Sequence, residues 1–306
     1  MLTALASVSP ARAETPSVPK ADPAPTPTRE DWVYLDNGQI RLGVLRSSGA
    51  GIAFFARVGA KRNLLNHYDR GRLIQQSYYG DEDGSLWNKR PWRYNPVQGG
   101  EWQGQGGRVL ELKSDKTSLY AKTQPRHWAS GALLTECVME EWITLEDKLA
   151  HLRFQITYNG TKTHAPRHQE MPAVFVDQLF STMVTYQGDD PWGGGKLTRR
   201  QPGLKNEYVR LPEHWAAYVA GGNEGLGVYV PLANEATCYA FRGGNDSNCS
   251  YFAPIGTFAL KPGLVFTYDA YLATGEPEDM RALFQKLHEK EEANDPRQPI
   301  SNILLR

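Results

Sequence analysis

An all-β, antiparallel fold with one short C-terminal helix is what this 306-residue chain predicts, and three observations carry the prediction. The first is period-two alternation. In AHLRFQITYNG, Leu152, Phe154, Ile156 and Tyr158 alternate with His151, Arg153, Gln155 and Thr157. Successive side chains of a strand point to opposite faces, so this is the pattern of a half-buried strand. The second is turn punctuation between alternating runs. Hairpins are expected to turn at Asn37-Gly38, at Glu146-Asp147, across Gly221–Gly225 and at Pro262-Gly263. The third is EPEDMRALFQKLHEK, with Glu276 and Pro277 near its start, Met280, Leu283, Phe284 and Leu287 at helical spacing, and Lys290 near its end. No blade- or solenoid-length repeat is visible, which argues against a propeller, and residues 31–306 are taken as one domain.

Composition narrows the partners. Lys and Arg total 34, Asp and Glu total 34, and the formal net charge is zero. Such a balance supplies no electrostatic reason for a nucleic-acid or anionic-membrane partner. No apolar run approaches the ~20 residues of a membrane-spanning helix. The opening MLTALASVSPARAETP has the apolar body and the small-x-small Ala11-Arg12-Ala13 end of an export signal, without a positive start. The Pro-rich ETPSVPKADPAPTPTRED that follows is expected to be a disordered tether. Residues 1–30 are therefore set outside the fold, and a periplasmic or secreted protein is expected. In that setting Cys238 and Cys249 can bridge, with Cys137 a buried thiol, or all three can be small core residues.

Two long stretches, 78–107 and 185–208, do not alternate and are expected to be functional loops. The first crowds Tyr78, Tyr79, Trp87, Trp92, Tyr94 and Trp102 among Arg93, Asn95 and Gln98, with Arg72 and Gln76 just before it. Sugar rings offer apolar C–H faces to aromatic rings and hydroxyls to amides and guanidinium groups, so this mixture fits a glycan. Trp87, Trp92, Trp102, Arg72, Gln76, Asn95, Gln98 and Arg167 are the candidate sugar-binding residues.

The segment HAPRHQEMPAVFV (164–176) supplies the chemistry. On a strand, His168 and Glu170 share a face. Glu170 is the leading candidate acid or base, and His168 can orient substrate or relay a proton. A second carboxylate is sought in GDEDGS, with Asp83 the candidate among Asp81, Glu82 and Asp83, or at Glu101; Asp189 and Asp190 are rivals. GDEDGS does not complete a calcium loop, and no nucleotide, serine-hydrolase or zinc-protease motif is present, so no cofactor or metal is expected.

NGQIRLGVLRSSGAGIAFFARVGAKRNLLN resembles the opening of galactose-mutarotase-like proteins. EHWAAYVAGGNEGLGVYVP and PGLVFTYDAYLATGEPEDMRALFQKL are similar to their later strands and closing segment. The resemblance spans most of residues 31–290 and implies a β-supersandwich, two large antiparallel sheets with a sugar groove on one concave face. The Asn-x-x-Asn-His-x-Tyr-like stretch of mutarotases is missing, which lowers anomer interconversion. The leading expectation is an exported glycoside hydrolase on a poly- or oligosaccharide, with Glu170 and a second acid as the working pair. The alternative is a polysaccharide lyase on a uronic-acid glycan, with Tyr78 or Tyr79 and His168 as base and acid and Arg167 or Gln76 neutralising the substrate carboxylate. A non-catalytic glycan-binding or envelope-assembly protein is the third possibility.

Overall fold

The computed structural model describes residues 28, 31–66, 71–221, 224–242 and 248–293. The expected export signal, nearly all of the tether, the Gly222-Asn223 turn tip, residues 243–247 and residues 294–306 lie outside the described residues. The chain opens with β1 (Trp32–Asp36), β2 (Ile40–Leu45), β3 (Gly51–Arg57), β4 (Gln75–Ser77), β5 (Glu82–Trp87), β6 (Arg90–Arg93) and β7 (Pro96–Val97). It continues through β8 (Arg108–Ser114), β9 (Ser118–Gln124), β10 (Arg126–His127), β11 (Cys137–Glu146), β12 (Leu149–Tyr158), β13 (Arg167–Asp177) and β14 (Thr182–Tyr186). It closes with β15 (Leu197–Arg200), β16 (Glu207–Arg210), β17 (Trp215–Val219), β18 (Gly225–Tyr229), β19 (Glu235–Phe241), β20 (Cys249–Phe258), β21 (Leu264–Gly275) and α1 (Pro277–Ala293).

Among the described residues the strands form a nine-stranded sheet, β15-β14-β17-β18-β21-β12-β11-β9-β8, and a seven-stranded sheet, β10-β7-β4-β13-β20-β19-β16. A three-stranded sheet, β1-β2-β3, and the β5–β6 hairpin complete the set. The pairings are antiparallel, as the long β11–β12, β12–β21 and β13–β20 ladders show. The two large sheets share one apolar core. Leu152, Phe154 and Ile156 of β12 bury their face of the alternation there, and Val174 and Val176 reach it from β13. Burial of this apolar area is the dominant favourable contribution, roughly 25 cal/mol per Å² removed from water.

Half of the outer face of the nine-stranded sheet is covered by α1. Met280 and Phe284 are buried against Trp215 and Tyr229. The helix is also fixed electrostatically. Glu213, 1% exposed, accepts from Arg281 at both carboxylate oxygens, from the Trp192 amide at 2.7 Å and from the Trp215 indole at 3.0 Å. Among the described residues no helix is long and apolar enough to cross a membrane.

Two expectations are corrected, and one left open by the sequence is decided. Pro262-Gly263 is a turn, but it does not close a hairpin, because β20 belongs to the seven-stranded sheet and β21 to the nine-stranded one. The stretch 78–107 is not all loop: β5 and β6 pair across Asn88 and Lys89, both at positive φ, and 185–208 likewise contains β15. For the cysteines the second of the two readings holds: Cys137, Cys238 and Cys249 are all buried thiols. Cys238 packs into the main core, while Cys249 packs with Phe175 and Tyr251 on the other side of the sheet, so Cys238 and Cys249 cannot bridge.

Candidate active site

The cleft lies on the outer face of the seven-stranded sheet, and an irregularity in β13 creates its floor. Glu170 stands opposite Ile255, yet Val174 stands opposite Phe252, so β13 has one residue more than its partner between these points. An extra residue reverses which side chains face which way. Upstream, His168 and Glu170 face the cleft, and downstream Ala173 and Phe175 do, while Val174 and Val176 turn to the core. The bulge thus sets a carboxylate into a floor rich in aromatic rings, those of Phe175, Tyr239, Phe241 and Tyr251.

Glu170 is 8% exposed, and its Oε1 accepts hydrogen bonds from the Tyr79 hydroxyl at 3.1 Å and from the Tyr251 hydroxyl. Burial raises its carboxyl above the ordinary range, and the hydroxyls of Ser77, Tyr251 and Tyr79 only partly offset this. The phenols respond to the same surroundings. Burial first, and then the adjacent Glu170 charge, hold both Tyr79 and Tyr251 well above a free tyrosine. Two protonated phenols therefore share one acceptor oxygen, a chain along which a proton can pass in either direction.

Tyr79 is aimed by its backbone. The Gln169 side chain, on the opposite face of β13 from Glu170, accepts from the Tyr79 amide at 2.6 Å and donates to the Tyr79 carbonyl at 3.0 Å. One wall of the cleft is aromatic. Trp87 on β5 meets Trp92 on β6 edge-on at 4.8 Å and Trp128 at 6.0 Å, and the Trp92 indole donates to Asn95 at 3.3 Å. Three arginines, Arg72, Arg93 and Arg167, line the same cleft. Arg93 lies 5.9 Å from the Tyr79 ring, Arg72 lies 4.3 Å over Phe241, and Arg167 bonds Asp81 at 3.2 Å. The Arg167 Nε is buried without a hydrogen-bond partner. His168 is exposed at the rim, edge-on to Tyr208. The cleft encloses about 810 Å³. Among the described residues no three His, Cys, Asp or Glu side chains are placed to hold a metal.

The expected residues divide. Glu170, His168, Tyr79, Arg72, Trp87, Trp92, Asn95 and Arg167 line the cleft together. Six do not. Tyr78, 0% exposed, points into the core and donates to Gln76. Gln76 donates to the Glu140 carbonyl, and Gln98 donates to the Gly49 carbonyl and to Glu141, a buried acid pushed up to about 8 by burial. Asp83 accepts from Ser85 and pairs with His127 at 2.8 Å. Glu101 is buried and spends both oxygens on the Gln103 and Gln105 amides of its own loop. Trp102 stands 42% exposed away from the cleft. The rings not foreseen are Trp128, Phe175, Tyr208, Tyr239, Phe241 and Tyr251; only Trp128, beside Arg126 and His127 in PRHW, carried a local signal.

One expectation follows from this division. In calorimetric titration of a bound glycan, Trp87→Ala should weaken affinity by about 1–3 kcal/mol, the scale for truncating a well-packed aromatic. Trp102→Ala should leave it unchanged. The reverse order would relocate the site.

No protein-family model matches the chain, and no curated protein matches it in sequence. Solved structures do match. A candidate aldose 1-epimerase from Escherichia coli K12 superposes with a TM-score of 0.54 at 14% identity, covering 80% of this chain and 99% of that one. A galactose mutarotase-like protein from Lactobacillus casei ATCC 334 gives 0.54 at 10% identity, with 80% and 100% covered. A galactose mutarotase related enzyme from Lactobacillus acidophilus gives 0.50 at 12%, with 80% and 97% covered. The chain has the galactose-mutarotase-like fold, mostly antiparallel β with a C-terminal helix.

Proposed function

We propose that this protein is an exported carbohydrate-active enzyme that cleaves an acidic poly- or oligosaccharide by β-elimination. The observation that carries the proposal is Glu170, the one carboxylate among the described lining residues, held between two tyrosine hydroxyls in a cleft that Arg72, Arg93 and Arg167 also line. A cleft of this size accepts several sugar units, and its arginines favour an anionic chain.

The chemistry is a proton transfer between two substrate atoms. Arginine pairing with a uronate carboxylate acidifies the neighbouring C5–H. Tyr79 takes the C5 proton as it passes its own to Glu170, so the negative charge leaves the sugar carbon without a free phenolate forming. The C4=C5 bond forms as the C4–O4 bond breaks, and Tyr251 gives its proton to O4. Glu170 then returns the proton to Tyr251, so the enzyme ends unchanged and the substrate has lost one glycosidic bond.

Glycoside hydrolysis, the first expectation from the sequence, needs two carboxyls roughly 5–10 Å apart across the scissile bond. The described lining offers only Glu170, and Asp83 and Glu101 serve their own loops. Aldose epimerisation is the second reading that an observation favours: matched structures are described as epimerases and mutarotases, and the same relay can move a proton between two sugar oxygens. The test is incubation with polygalacturonate, alginate, hyaluronan and neutral glycans, read by ultraviolet absorbance of the unsaturated product and by reducing ends. Both signals should rise in step on an acidic glycan. Reducing ends without absorbance would return the assignment to hydrolysis, and accelerated anomer exchange of a free aldose with neither signal would favour the epimerase.

A further inference from the structure

The outer face of the nine-stranded sheet is covered by α1 on only one half, and the open half is built rather than left over. Across β9, β11, β12 and β21 the register aligns Tyr120, Trp142, Arg153 and Asp269 in one row. With adjacent strands ~4.8 Å apart, the row spans roughly 14 Å. A concavity of about 480 Å³ lies over Trp142, Arg153, His151 and Gln155. A face awaiting a helix or a second sheet would be apolar, as it is under α1. Here an exposed indole sits among hydrogen-bonding groups.

Those groups are held in place before any ligand arrives. Trp142 is 36% exposed and leans on Tyr120, with ring centroids 5.3 Å apart. Arg153 makes a two-pronged contact with Asp269 at 2.9 and 3.1 Å, and His151 bonds the same carboxylate at 2.7 Å. Gln155 donates to Glu140 at 3.1 Å, and Glu140 also accepts from Tyr120 at 2.6 Å. Arg153 is paired with Asp269 and Glu140 already accepts two hydrogen bonds, so each group has a partner before a ligand arrives. Hydroxyl groups, which donate and accept at once, can add to such a network without breaking it. Fixed side chains also lose little entropy on binding.

We infer that this platform is a second glycan-binding surface, distinct from the cleft, that takes a neutral, hydroxyl-rich sugar chain with one ring stacked on Trp142. It rests on the carbohydrate reading of the protein but not on the cleft's reaction. The surface lies on the other large sheet from Glu170, so the two sites can hold separate stretches of glycan at once and raise the effective concentration of substrate at the cleft.

The test is affinity electrophoresis of the full chain carrying Glu170→Gln, in gels containing mixed-linkage β-glucan, galactomannan or starch. Retardation is expected in at least one neutral gel, with Trp142→Ala weakening it at least tenfold and Trp142→Tyr restoring most of it. Trp142→Ala alone should leave turnover of a short acidic oligosaccharide unchanged. Absence of retardation in every neutral gel, or retardation indifferent to Trp142→Ala, overturns the inference. So does a concentration-dependent dimer that Trp142→Ala abolishes without any glycan effect, because it assigns the face to a second copy of the chain. Loss of the cleft's elimination activity from the proposal above would leave these outcomes standing, so the two failures are separable.

Discussion

Glu170→Gln is expected to keep the fold and to lower turnover ~10²–10⁴-fold, the usual cost of losing a group that exchanges protons in the rate-limiting step. The amide retains an acceptor oxygen for Tyr79 and Tyr251, so the hydrogen-bonded floor survives while proton storage does not. The pH dependence has a definite sign. Glu170 must be ionised to receive the Tyr79 proton, and burial raises its carboxyl above the ordinary range. The kcat/KM of the wild-type protein should therefore climb with pH through a group above ordinary carboxylates, and this ascent should vanish in the variant. Stability moves oppositely. A raised carboxyl binds its proton more tightly folded than unfolded, so its contribution is complete below the unfolded pKa and is lost as pH rises through the folded one. Glu170→Gln should not show that loss in urea unfolding followed across pH. A variant with near-normal turnover would remove Glu170 from the chemistry.

The second large effect is on stability. Glu213→Ala should destabilise the protein by roughly 3–5 kcal/mol, because it leaves a buried Arg281 guanidinium without its carboxylate. The Trp192 amide and the Trp215 indole lose their acceptor as well. Replacing both partners, Glu213→Gln with Arg281→Met, should recover much of the loss, since an apolar side chain in place of the charge leaves no buried ion. Equilibrium unfolding in urea measures both. A loss under about 1 kcal/mol for Glu213→Ala would mean that apolar packing of Met280 and Phe284 alone holds the helix.

The elements that could be read from sequence are those with one wet face. β12 alternates because His151, Arg153 and Gln155 face outward, and α1 shows its stripe because Glu278 and Lys290 face water. β19 and β20 turn one face to the core and floor the cleft with aromatic rings on the other, so Tyr239 and Tyr251 sit in largely apolar runs and look like core residues. Nothing local marks them as the cleft floor. Tyr78 and Tyr79 are neighbours on opposite faces, and only the Gln169 clamp from a strand ninety positions away decides which one meets Glu170. The acids of 78–107 misled for a different reason. A carboxylate followed within four residues by glycine and serine or glutamine caps its own turn, as Asp83 does with Ser85 and Glu101 with Gln103 and Gln105. Pro262-Gly263 likewise signals a change of direction but carries no information on which sheet receives the next strand.

The central claim is that Glu170 and its two tyrosines move a carbon-bound proton, and the bond itself can be watched. Turnover of an acidic oligosaccharide carrying deuterium at C5 of the cleaved unit should be slower than that of the unlabelled sugar, with the label absent from the unsaturated product. Hydrolysis and anomer exchange leave that C–H bond intact, so equal rates with the deuterium retained would contradict the account.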